Sequence, residues 1–224
     1  MVKKLTWDSD FFKKNIGQID ASELKKADLL EYDLIYVTSQ TDFNIVIQDF
    51  ECTFEEVKLV FEKNNLTTAY LDSHIFSVAE VNINLEDLYV LAYESGKYSR
   101  FLLDYNFSKL EFETMYKMWV DNSISKKIAT DVLVYIENQK LLGFVTYKID
   151  NKNAHIGLIA VHPNAQGKGI GKKLLARAEH IVQIQHCHVM QIPTQKQNKE
   201  ACTFYSKQQY NVSSETYIKH YWRK

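Results

Sequence analysis

The sequence predicts a mixed α/β fold, and three observations carry that prediction. Helix-like and strand-like periodicities alternate along the whole chain. The strand-like stretches are short, β-branched and bounded by polar residues, as buried strands are. Three of the seven glycines, Gly167, Gly169 and Gly171, fall within six residues between a strand-like and a helix-like segment.

From the N-terminus, residues 33–39 and 44–48 read as buried strands, 54–61 as a third and 74–81 as a fourth. Leu85, Leu88, Tyr89 and Ala92 recur at helical spacing. Past Gly96, Leu110, Phe112, Met115, Met118 and Trp119 predict a helix to about residue 123. Residues 131–136 and 141–148 read as strands joined by a short turn at Asn138 and Gln139, and 154–161 as a third strand. Ile170, Leu174, Leu175, Ala178, Ile181 and Val182 form the stripe of a long amphipathic helix. A buried strand at 188–192, a helix at 198–207 and a closing pair of strands toward Trp222 complete the chain. The division expected is a small N-terminal α/β domain at 1–95 and a second domain at 96–224.

With 224 residues, 46% of them hydrophobic, the chain can bury a sizeable core. Its net charge of -1 supplies no bulk attraction to nucleic acid or anionic membrane. Lys3 and Lys4 are not followed by an apolar run, and no stretch approaches the roughly 20 apolar residues of a membrane span, so a cytoplasmic protein is expected. Cys52, Cys187 and Cys202 are isolated and read as reduced thiols. His186, Cys187 and His188 lack an evident third ligand, so no metal is expected.

The glycine cluster carries the chemistry. Glycines accept positive φ and let the backbone approach a ligand. The first N–H groups of a helix lack internal partners, and the helix dipole adds partial positive charge there. Together these make a pyrophosphate site, with Lys168, Lys172 and Lys173 adding charge. A tight turn without a ligand is the bland alternative. The glycine spacing is not that of a dinucleotide fold, no acidic residue ends the following strand, and a Walker-type loop is absent.

Ile159, Ala160, Val161, His162 and Pro163, followed by Gln166, Gly167, Lys168, Gly169, Ile170 and Gly171, resemble the Gcn5-related N-acetyltransferase (GNAT) family. Gln166, Gly169 and Gly171 match its Q/R-x-x-G-x-G/A loop. Asn198, Ala201, Phe204 and Tyr205 resemble its N-x-x-A-x-x-F-Y signature. The segment from Leu5 to Phe12, Tyr98 to Phe101, Trp119 with Val120, and Lys219 to Trp222 are similar to the bacterial dTDP-fucosamine acetyltransferases. One departure is visible: Gln208, Gln209 and Tyr210 stand where that family has a glycine before an aromatic residue, which is expected to reshape the turn.

The resemblance implies acetyl-coenzyme A as co-substrate, no metal, and direct attack of an amine on the thioester in a ternary complex. Ile159, Ala160 and Val161 would pair with the pantetheine arm where their strand splays from its neighbour, and an N–H near Val161 would hold the oxyanion. Residues 166–171 and Lys172 would hold the pyrophosphate, and Asn198 the arm. Tyr205 would protonate the leaving thiolate; plain core packing of an aromatic pair is the alternative. Glu113, Glu137, His155 and His162 are candidate bases by type. Arg100, next to Tyr98, is a candidate contact for a substrate phosphate, with a surface ion pair as the alternative. The leading acceptor is a nucleotide-linked amino sugar in surface polysaccharide synthesis. A protein N-terminus, a polyamine or a drug amine is the second reading, and a non-catalytic acetyl-coenzyme A-binding module the third. Homodimerisation is compatible with each.

Overall fold

A computed structural model of the protein describes residues 1–67 and 70–224. In chain order the elements are β1 (Lys3–Lys4), α1 (Thr6–Phe12), β2 (Ile16–Asp20), β3 (Leu34–Ser39), β4 (Phe50–Lys63), β5 (Ile75–Ser77), α2 (Leu85–Ser95), α3 (Arg100–Leu103), α4 (Lys109–Ile124), β6 (Asp131–Glu137), β7 (Lys140–Asp150), β8 (Asn153–Val161), α5 (Ile170–Ile184), β9 (Val189–Gln195), α6 (Lys199–Lys207) and β10 (Asn211–Arg223). The strands form one mixed sheet in the order β1-β2-β3-β10-β4-β9-β8-β7-β6-β5. Among the described residues only the β2–β3 and β8–β9 pairings are parallel. β3 and β4, from the first 95 residues, bracket β10, the last strand of the chain.

Helices cover both faces of the sheet, so its central strands read as apolar runs without alternation. Along β6, Leu133 and Tyr135 pack with Leu174, Leu175 and Ala178 of α5. Val132 and Val134 point the other way, to Leu88 and Ala92 of α2 and Phe112 and Met115 of α4. The turn after β6 uses Asn138 (φ 51°) and Gln139 (φ 61°), both left-handed, the geometry that matches the twist of a two-residue hairpin.

Four sequence expectations need correction. Residues 44–48 form no strand: Ile47 is buried while Val46 is exposed, and the Ile45 carbonyl accepts from the Tyr221 hydroxyl, so this run anchors a loop. The segment 74–81 is extended only at Ile75–Ser77; Ser77 and Glu80 then close a capping box around a 3-10 turn. The closing strand pair is one 13-residue strand, β10, straightened by partners on both sides and interrupted by two register shifts. Gln209 takes φ 67°, so the turn before Tyr210 keeps the left-handed geometry of a glycine without having one. No described helix is long and apolar enough to cross a membrane.

Candidate functional site

β8 and β9 pair over only three residues, the last being His155 with Gln191, although β8 runs on to Val161 and β9 to Gln195. Two local features end the ladder. The Lys196 N–H donates to the Val57 carbonyl (2.8 Å), which fixes the alternation along β9: Gln191 and Pro193 direct their nitrogens toward β8. The next donor needed is therefore a proline, which has none. On β8, a register shift between Val145 and Tyr147 marks a bulge at Gly157 and Leu158, where the Leu158 N–H goes to the Thr146 hydroxyl (2.9 Å). The strands separate into a cleft of about 770 Å³ that reaches both faces of the sheet.

One end of the cleft is the glycine loop. Gly167 (φ 77°) and Gly169 (φ 81°) are left-handed, and a Cβ built on either meets no heavy atom within 4 Å. These glycines are thus demanded by backbone conformation and leave open space above the loop. Gly169 is the N-cap of α5 and offers no side chain to its first N–H groups. The other described helices of eight or more residues are capped, by Asn84, Ser108 and Asn198. A loop with this opening and an uncapped helix fits a pyrophosphate. Lys172 lines the cleft; Lys168 is exposed outside it. Lys173 turns away to Asp72 (3.1 Å), correcting its expected place beside the loop. The Gln166 side chain donates to the Val161 carbonyl (3.2 Å) and ties the loop to the end of β8.

Ile159, Ala160, Val161, Gln166, Gly167, Gly169, Ile170, Gly171, Asn198 and Tyr205 line this cleft. Asn198 caps α6, its Oδ1 accepting from the Ala201 N–H (3.1 Å), which leaves its amide N–H groups for another partner. Tyr205 is 4% exposed, with its ring against Phe61, Phe204 and Tyr210. No described protein group hydrogen-bonds its hydroxyl. Burial, and then the neighbouring Cys202, push its pKa up, so the phenol holds its proton across the neutral range.

On the opposite face Arg100 lines the cleft, whereas Tyr98 does not. Glu137, Glu113, His155 and His162 are also outside it. Glu113 pairs with Lys109, and His162 caps the turn at Pro163–Ala165. Three carboxylates line the cleft: Glu94 and Glu200 pair with Lys97, whereas Glu56 on β4, 8% exposed, has its Oε2 buried and unpartnered among the described residues. Burial raises its pKa, while Arg100 and Lys58 pull it down. The sequence hid it among Glu51, Glu55 and Glu62 of the same strand. Its one signal was parity: on β4, Leu59 and Phe61 face the core under α5, so even-numbered residues face the other way.

Behind Arg100, His220 Nδ1 donates to Asp104 Oδ2 (2.6 Å), which also accepts from Trp222 Nε1 (2.9 Å). Burial lowers the His220 pKa to about 4, outweighing Asp104, so the ring is neutral. Asp104 is penalised by burial too, yet bonds from His220 and Trp222 hold it at about 2. A depressed folded pKa means that the unfolded chain binds the proton first. The His220 contribution is therefore present above the ordinary value of 6.5 and is lost as pH falls toward 4. The urea midpoint is expected to drop between pH 7 and pH 5, and His220→Gln to be less stable at pH 7 but with a shallower drop. An equal drop in both proteins contradicts this.

Residues 84–210 match the acetyltransferase (GNAT) family. A 78-residue stretch is 32% identical to the uncharacterized protein YdhI of Bacillus subtilis (strain 168), covering 35% of this chain and 48% of that protein. The match thus spans about half the length of the curated relative. Among solved structures, a functionally unknown conserved protein from Staphylococcus epidermidis is 15% identical, covers 100% of this chain and 82% of its own, and superposes with a TM-score of 0.62. A GNAT-family protein from Novosphingobium aromaticivorans is 9% identical with a TM-score of 0.59, covering 86% of this chain and 75% of its own. These two share the fold.

Proposed function

Because the chain belongs to the acetyltransferase (GNAT) family, we propose that it transfers an acetyl group from acetyl-coenzyme A to a primary amine, by direct attack in a ternary complex. The observation that carries this reading is the joining of two features in one cleft: the uncapped, left-handed glycine loop and the gap between β8 and β9. Residues 166–171 and Lys172 hold the pyrophosphate. Ile159, Ala160 and Val161 offer backbone groups to the pantetheine amides as a neighbouring strand would, and an N–H near Val161 polarises the thioester carbonyl. The Asn198 amide donates to the arm. Tyr205 hydrogen-bonds and protonates the departing thiolate.

The acceptor proposed is a nucleotide-linked amino sugar, with Arg100 toward its phosphate. Residues 1–95 are proposed as a smaller N-terminal domain that supplies an acceptor wall through β4, which carries Glu56 and Lys58 into the cleft. The test is mass spectrometry of purified protein incubated with acetyl-coenzyme A and dTDP- and UDP-amino sugars, amino acids and polyamines. Acetylation of an amine is expected. Absence of transfer to every amine, from protein that binds the donor, counts against an acetyltransferase with any of these acceptors.

A further inference from the structure

The sheet face opposite α5 carries three buried side-chain atoms without a partner at hydrogen-bond geometry among the described residues: Glu56 Oε2, His220 Nε2 and the Tyr36 hydroxyl, the last with the Asp8 carboxylate of α1 beside it. They lie on adjacent strands. Tyr36 of β3 is opposite His220 of β10, and His220 is opposite Phe54 of β4, two residues before Glu56 on the same face. Arg100 lies above them, its guanidinium 4.4 Å from the centre of the Tyr36 ring. It has no ion pair or side-chain hydrogen bond among the described residues, although a guanidinium offers five donors. Native proteins rarely leave such groups unmet, because each buried orphan costs the desolvation of a polar atom. Here Glu56 and Arg100 both open onto the cleft.

We propose that Glu56 receives the acceptor's ammonium group and takes its proton, while Arg100 holds an anionic group of the same molecule. The acceptor class is then a small primary amine that bears a phosphate or a carboxylate. This rests on the acetyl-transfer reading above and narrows it. Lys97 also lines the cleft but is paired with Glu94 (3.1 Å) and Glu200 (3.3 Å), which leaves Glu56, Arg100 and Lys58 as the charges of this wall with no ion pair among the described residues. A polyamine would satisfy Glu56 but crowd the two cations. An amine with its own anion satisfies both signs.

The protons balance. R–NH3⁺ gives one proton to the Glu56 carboxylate, and the nitrogen lone pair forms the N–C bond to the acetyl carbonyl. The C–S bond breaks with its electron pair on sulfur. The second nitrogen proton goes to the thiolate, directly or through the Tyr205 hydroxyl, and Glu56 releases its proton to solvent. One H⁺ is produced per acetyl transferred. Burial raises the Glu56 pKa, and Arg100 from α3 and Lys58 on its own strand lower it; Tyr116 of α4, whose own pKa Glu56 raises, and His220 of β10 also face it.

The test compares Glu56→Gln, Glu56→Asp and Arg100→Gln with wild type on three acceptor arms: dTDP-amino sugars for phosphate, L-amino acids for carboxylate, and spermidine for neither. One anionic arm is expected to exceed spermidine in kcat/KM by at least about 10²-fold. Glu56→Gln should lower kcat/KM for it by about 10²-fold and remove the acid limb of the pH profile, with Glu56→Asp recovering part of both. Arg100→Gln should raise KM about tenfold with little change in kcat. Protection of the fold by coenzyme A should be unchanged in all three. The proposal is overturned if Glu56→Gln stays within about threefold of wild type with its acid limb intact. It is overturned equally if spermidine matches the anionic arms, or if neither anionic arm turns over while coenzyme A still raises the melting temperature. Wild-type protein that coenzyme A does not protect would sink the acetyl-transfer reading beneath it.

Discussion

Tyr205→Phe is expected to lower turnover by about 10²-fold while leaving affinity for coenzyme A within a few-fold of wild type. Expelling a thiolate is easier when a proton or a strong hydrogen bond arrives as the C–S bond breaks. The Tyr205 hydroxyl has no hydrogen-bond partner among the described residues, and burial keeps it protonated. The substitution keeps the ring against Phe61 and Phe204 and deletes only the hydroxyl. An interaction made where charge develops on sulfur should appear in kcat and hardly in ground-state binding. A packing role gives the opposite pattern, a lower melting temperature with near-normal turnover. Turnover within about threefold of wild type at saturating substrates, with chemistry rate-limiting, would remove Tyr205 as the acid.

How much of this was legible in the sequence depended on whether the signal was local. α5 was legible because one helix face is buried and its apolar stripe recurs every three or four residues. The loop was legible because left-handed turns select glycine at Gly167 and Gly169. α1 and β2 went unread: seven and five residues are too short for periodicity to stand out, and Phe12 and Ile16 are buried by partners distant in sequence. The 44–48 run shows the converse error, β-branched residues serving a loop. Glu56 and His220 were out of reach for a different reason. Parity along β4 gives only the face of Glu56, and nothing local marks His220; their meaning comes from strand pairing between residues more than 150 apart and from Arg100 on a third element. The cleft itself lies between these cases. Pro193 is visible in the sequence, but its effect depends on which neighbour its nitrogen faces, and β4 decides that.

Gly169→Val is expected to weaken coenzyme A binding by on the order of 10²-fold, the scale of losing one or two charge-assisted hydrogen bonds. Two effects act together. Valine is disfavoured at φ 81°, at a cost of about 1–2 kcal/mol, so the loop is pushed away from the shape that aims its N–H groups outward. The new side chain would also stand in the open space over the loop, where no protein atom lies within 4 Å of its Cβ. That openness predicts a modest loss of stability, set by the backbone rather than by a clash. Gly169→Asn separates the two effects, because asparagine tolerates the left-handed conformation yet still adds a side chain. It should fold nearly as stably as wild type and still bind coenzyme A weakly if approach of the pyrophosphate is what matters. Thermal protection by coenzyme A reads both variants, since a ligand that binds only the native state raises the melting temperature according to its affinity. A folded Gly169→Val protein that coenzyme A protects as fully as wild type would show that the pyrophosphate lies elsewhere.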